Sequence, residues 1–133
     1  MTAIELRDHC LSLPGSSFDF PFDTETIVFR VGGRMFALSG IDADPVSVTL
    51  KCDPILARDL RAAYDAVTPG YHMNKEHWNT IRAGADLPDD KLRWLIDHSH
   101  ELVAAGLPRS QRTAGGASSA ARASHGSPQL PRP

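Results

Sequence analysis

The sequence predicts an α+β fold, a two-layer sandwich in which an antiparallel sheet of about five strands carries helices on one face. The predicted order is α-β-β-β-β-α-β-α. Three observations lead there. Helix-period segments stand near both ends and in the middle of residues 1–108. The period-2 segments between them are joined by turns, and strands joined by short turns are antiparallel. Their apolar residues alternate onto one side, so one sheet face needs helices over it and the other is left open.

Residues 2–13 form the first predicted helix. Thr2 stands three residues before Glu5, a capping-box spacing. Ala3, Leu6, Cys10 and Leu13 share one face, and Pro14-Gly15 ends the helix. Phe18, Phe20 and Phe22 alternate with Asp19 and Pro21, a pattern that suits an edge strand. Thr26–Val31 and Arg34–Ser39 read as a hairpin closed by Gly32-Gly33, because a primed turn needs positive φ. Val46–Lys51 is a fourth strand, with Val46, Val48 and Leu50 facing one way and Ser47, Thr49 and Lys51 the other. Asp53 and Pro54 suit the cap and first position of a second helix, whose stripe is Leu56, Leu60 and Tyr64. Thr68-Pro69-Gly70 reads as a turn. His77–Arg82 is the fifth strand, with Trp78, Thr80 and Arg82 on one face and His77, Asn79 and Ile81 on the other. The acids of residues 86–90 open the last helix. Leu92, Leu95, Ile96, Ser99 and Val103 trace its inner face, and Gly106 and Pro108 stop it.

Charge divides the 133 residues unevenly. All 16 acids lie before residue 109, against 10 basic side chains there, so residues 1–108 sum to −6. Residues 109–133 hold Arg109, Arg112, Arg122 and Arg132 and sum to +4. A uniformly basic nucleic-acid binder is excluded. What remains is one acidic domain, 1–108, and a basic Ala/Ser/Gly/Pro/Arg-rich tail, 109–133, too poor in large apolar residues to order itself. No apolar run is long enough to span a membrane, and no signal peptide is expected. The expected compartment is the cytoplasm, with Cys10 and Cys52 as buried thiols.

The densest polar and aromatic cluster is Tyr71-His72-Met73-Asn74-Lys75-Glu76-His77-Trp78-Asn79. His72 and His77 lie five apart, which is not a helical ligand spacing, so no metal and no cofactor is expected. No serine or cysteine has a nucleophile-elbow context, and no phosphate loop is present. Nucleic acid suits the cluster better. Arg30, Arg34, Lys51, Lys75 and Arg82 are candidate phosphate contacts. Asn74, His77 and Asn79 are candidates nearer the bases, Trp78 or Tyr71 can stack, and His72 completes the set. A purely structural alternative puts Trp78 in the core, has Asn74 cap a turn and leaves the charges in water.

The stretches LKCDP at 50–54, TPGYHMNKEHWNTI at 68–81 and LIDHSHELVAAGLP at 95–108 resemble the MmcQ/YjbR family of small bacterial proteins, and FPF at 20–22 and VGGRMFAL at 31–38 also fit. The resemblance covers about residues 2–112. It implies a two-layer fold with an antiparallel sheet, comparable to frataxin-like and secretion-chaperone-like folds. It also implies a double-wing DNA-binding module with no established enzyme activity. Family motif positions fall on Lys51, Cys52, Asp53, Pro54, Pro69, Gly70, Tyr71, His72, Met73, Asn74, Lys75, His77, Trp78 and Asn79, then on Asp97, His98 and Gly106. DNA is thus the first expected partner. A protein partner, anchored on Tyr71, Trp78 and Trp94, is the second reading, and a small-ligand or enzymatic site near His72 and His77 the third. No membrane partner is expected, and the sequence leaves the oligomeric state open.

Overall fold

The computed structural model describes residues 1–42, 45–70 and 73–108. The tail predicted for 109–133 lies outside the described residues.

The helix starts follow their caps. In α1 (Ala3–Ser12), Glu5 N–H donates to Thr2 Oγ1 at 3.2 Å and Thr2 N–H donates to Glu5 Oε1 at 2.9 Å. This reciprocal pair satisfies donors that the helix itself leaves open. In α2 (Pro54–Ala63), Leu56 N–H donates to the Asp53 carboxylate at 3.1 Å. The last helix, α3 (Asp89–Ala105), begins after the proline at its N-cap, later than the acid-rich segment alone suggests. Asp86 is engaged elsewhere: its carboxylate accepts Asp65 N–H at 2.8 Å and Ala66 N–H at 2.9 Å. Those two donors hold its carboxyl below the ordinary carboxylate range.

The sheet has six strands: β1 (Ser16–Asp19), β2 (Thr26–Val31), β3 (Arg34–Gly40), β4 (Ser47–Lys51), β5 (Val67–Pro69) and β6 (Trp78–Arg82). Their spatial order is β1-β2-β3-β4-β6-β5, and each neighbouring pair is antiparallel. The α+β class and the antiparallel sheet are as predicted, and the strand count is one higher. The extra strand is β5, where a turn was expected. Val67 is buried and pairs with Ile81, and an edge position tolerates the missing N–H of Pro69. The first strand ends at Asp19, short of the predicted Phe20 and Phe22. There the chain turns, because the Asp23 carboxylate accepts Glu25 N–H at 2.8 Å and Thr26 N–H at 2.7 Å.

Gly32 (φ 57°) and Gly33 (φ 80°) close the β2–β3 hairpin with the two positive φ angles of a type I′ turn. The β2–β3 register slips between Phe29 and Arg30, because Phe29 faces Ala37 while Arg30 faces Met35. Phe36 is therefore an extra residue on β3, a bulge, and it is fully buried. One core joins Leu6 and Cys10 of α1, Leu56 and Leu60 of α2, and Leu92, Ile96 and Val103 of α3 to Phe29, Phe36, Val48, Leu50 and Ile81 of the sheet. Cys10 and Cys52 are both free and buried, and burial pushes both thiols up, Cys52 to about 12. No described helix is long and apolar enough to cross a membrane.

Candidate functional site

Four pieces of chain meet at one end of the sheet: the Gly32-Gly33 turn, the last residue of β4, the first residue of β6 and the end of α3. Between them lies a cleft of about 370 Å³, lined by Arg30, Arg34, Met35, Lys51, Trp78, Leu102, Val103 and Gly106. Its cations come from three strands. Lys51 and Trp78 are cross-strand partners on β4 and β6, and Arg30 is the partner of Met35 across the hairpin.

Each cation is held differently. Arg30 Nε donates to Asp19 Oδ1 at 2.9 Å and its Nη1 to Gly33 O at 3.0 Å, so its side chain is only 24% exposed. Arg34 Nη1 donates to Gly106 O at 2.9 Å. The last turn of α3 carries no basic residue of its own, so Arg34 brings a cation to its negative end. A β-carbon on Gly32 would collide with the buried Leu107 side chain. The hairpin is thereby seated directly on the end of α3. Lys51 has no ion-pair partner among the described residues.

Lys51 is placed by a buried hydroxyl. The β3–β4 register runs Ser39–Val48, Leu38–Thr49 and Ala37–Leu50. One step further it would set Phe36 opposite Lys51. At that point the Ser99 hydroxyl accepts Lys51 N–H at 2.9 Å and donates to Phe36 C=O at 2.6 Å. Ser99 of α3 thus bridges β3 and β4 just past the end of their paired register. Trp78 is placed by Gly70, whose N–H donates to Trp78 C=O at 2.8 Å.

The structure separates the remaining candidates. Arg82 is on the same strand face as Trp78 but four residues along β6, roughly 13 Å away at strand rise. It lies beside Asp86, whose carboxyl it helps to lower. Lys75 is exposed on the β5–β6 connection, where Arg61 Nη1 donates to its carbonyl at 2.9 Å. Asn74 Oδ1 accepts Glu76 N–H at 2.9 Å, the turn cap of the structural alternative. His77 is half-buried, and its carbonyl accepts Cys52 N–H at 2.8 Å. Asn79 is 1% exposed and its Nδ2 donates to Ala57 O at 3.2 Å, so it is a core residue and cannot reach a base edge. Tyr71 and His72 lie outside the described residues. Trp94 is half-buried, its ring stacked on His98 at 4.9 Å between centroids. His98 Nε2 accepts Asp53 N–H at 3.3 Å, and burial holds its pKa below the ordinary histidine value although the Asp53 carboxylate opposes this.

Arg30, Arg34, Lys51 and Trp78 are thus brought together, while Lys75 and Arg82 are not part of the cleft. Met35, Leu102, Val103 and Gly106 also line it, and sequence reasoning did not select them. Their sequence signals were the helix stop and family motif position at Gly106 and the place of Val103 on the inner face of the last helix. No group of three or more potential metal ligands occurs among the described residues.

The sequence model of the YjbR family matches residues 11–102. A protein called YbdF from Escherichia coli O157:H7 is 37% identical over 99 residues, covering 74% of this chain and 81% of its own. A protein called YjbR from Escherichia coli K12 is 32% identical over 112 residues, covering 84% and 95%. Among solved structures, a Deinococcus radiodurans protein with a DUF419 domain superposes with a TM-score of 0.80 at 40% identity, covering 86% of this chain and 88% of its own. A Pseudomonas syringae protein does so with a TM-score of 0.66 at 28% identity, covering 77% and 99%.

Proposed function

The chain belongs to the YjbR family, and from that premise we propose that it is a cytoplasmic DNA-binding protein whose contact surface is the cleft at the hairpin end of the sheet. One observation carries this reading: Arg30, Arg34 and Lys51 converge beside Trp78 on a domain whose remaining charge is acidic. Arg34 and Lys51 hold phosphates, the Arg30 charge being matched by Asp19, and Trp78 lies against a neighbouring base. Affinity then comes from a local patch, not from the overall field of the protein, because residues 1–108 sum to −6.

The patch predicts a modest salt dependence. Two phosphate contacts on a duplex correspond to a slope of about −1.8 in log affinity against log salt. Fluorescence anisotropy with a labelled duplex and a labelled single strand measures it. Binding is expected at about 50 mM salt, where electrostatic contacts are strong, and is expected to weaken in Lys51→Gln. No binding at that salt, or an unchanged affinity in Lys51→Gln, would overturn the reading.

A different observation favours a protein-interaction role. Phe18 (47% exposed), Phe20 (40%) and Phe22 (63%) lie on or just beyond the edge strand β1. Exposed aromatic side chains beside an unpaired strand edge are what an extended partner segment uses. This surface stands beside the anchors Tyr71, Trp78 and Trp94 expected from sequence, of which Tyr71 lies outside the described residues.

A further inference from the structure

The cleft is small and amphipathic. Its volume of about 370 Å³ is near the small end of the roughly 300–1,000 Å³ typical of small-molecule sites. Half of its eight lining residues are not needed for phosphate contact at all: Met35, Trp78, Leu102 and Val103 present hydrocarbon, sulfur and an indole. Arg30 is tied down on two sides and Lys51 is half-buried, while Arg34 is exposed at the mouth of the cleft.

The charge is also specific. Among the described residues no carboxylate lines the cleft. The Arg30 charge is matched by Asp19, while Arg34 donates only to a neutral carbonyl and Lys51 has no ion-pair partner among the described residues. Two positive charges are therefore left for a ligand. An internal phosphodiester carries a single negative charge. A phosphate monoester carries about −1.5 to −2 near neutral pH and offers three acceptor oxygens.

We propose that the cleft binds a planar base bearing a phosphate monoester, with the phosphate between Arg34 and Lys51 and the base against Trp78. The proposal narrows, and rests on, the reading of this cleft as a phosphate-binding surface. Two sources supply this chemistry: a free mononucleotide and the phosphorylated end of a nucleic-acid strand.

Isothermal titration calorimetry of the full chain distinguishes them, using adenosine 5′-monophosphate, adenosine, and one single-stranded oligonucleotide with either a 5′-phosphate or a 5′-hydroxyl. The expected result is binding of the monophosphate but not of adenosine, and about tenfold tighter binding of the 5′-phosphorylated strand than of its 5′-hydroxyl form, as a charge-assisted contact provides. Lys51→Gln is expected to lower both by about tenfold with its thermal midpoint unchanged, since the ammonium holds no structural partner. Trp78→Phe, which keeps an aromatic ring, is expected to retain most of the affinity. Binding of the monophosphate alone, with no oligonucleotide bound, supports the inference with a free nucleotide as ligand and overturns the DNA reading. Equal binding of the two strand forms with none of the monophosphate overturns the inference and leaves the DNA reading standing. Absence of all binding overturns both, and affinities unchanged in Lys51→Gln remove the ligand from this cleft.

Discussion

Replacing Ser99 by alanine is expected to lower the stability of the domain by about 2–5 kcal/mol. The residue is fully buried, and its hydroxyl serves two strands at once. Alanine removes the donor to Phe36 C=O and the acceptor for Lys51 N–H together. Each buried backbone group left without a partner costs about 1–3 kcal/mol, and the β3–β4 pairing ends at Ala37 and Leu50, one residue short of this point. For a domain of this size the midpoint of thermal unfolding should fall by about 10 °C or more. A hydroxyl pair elsewhere gives the contrast. Thr49 and Thr80 meet at 2.9 Å as cross-strand partners that are not fully buried, and a valine at either position should cost less than about 1 kcal/mol. Thermal and urea denaturation of the two variants measures the difference. Equal small losses would show that the Ser99 hydroxyl is replaceable and does not hold Lys51 in place.

Replacing Gly70 by alanine is expected to disturb the cleft from behind. A β-carbon there would stand 2.7 Å from Trp78 Cβ and 3.0 Å from Trp78 O. The obstacle is backbone and the root of a side chain, so no rotamer change relieves it. Either β5 lifts from β6, losing the 2.8 Å bond from Gly70 N–H to Trp78 C=O, or Trp78 moves. Overpacking of this kind costs about 1–3 kcal/mol. The informative readout is the pairing of effects: a lower thermal midpoint together with altered Trp78 fluorescence and weaker binding in the cleft. A variant with parental stability and parental ligand affinity would contradict the placement of Trp78 by Gly70.

Much of the fold was legible because local chemistry decided it. Thr2 with Glu5, Asp53 with Pro54, and Gly32-Gly33 each specify a cap or a turn within a few residues, and each forms as the sequence suggests. What was not legible depends on contacts distant in sequence. β5 exists because Val67 finds Ile81 across the sheet edge. The Ser99 bridge leaves no local trace, because its hydroxyl joins Phe36 and Lys51 from 63 and 48 residues away. Asn79 looked like a polar surface residue. The alternation that places Ile81 in the core places Asn79 there too, and the residue is held by Ala57 O.

The candidate site was half legible for the same reason. Arg30 and Arg34 flank a visible hairpin, and Lys51 sits on the polar face of a visible strand. That these strands end beside the last turn of α3 is a property of the packing. It follows from Gly32 against Leu107 and Arg34 against Gly106, which no pattern within either segment announces. Lys75 and Arg82 looked equivalent to the others in sequence. The register sends Arg82 to the far end of β6, and the β5–β6 connection carries Lys75 to a separate spot beside Arg61.

The most direct test is the two-dimensional amide spectrum of the isotope-labelled full chain during titration with a 5′-phosphorylated single-stranded oligonucleotide. The predicted result is a set of shifts confined to the Trp78 indole N–H and the amides of Gly32, Gly33, Lys51 and Gly106. Shifts centred on Phe18–Phe22 or on residues 109–133, with the Trp78 indole unmoved, would contradict a binding site in the cleft.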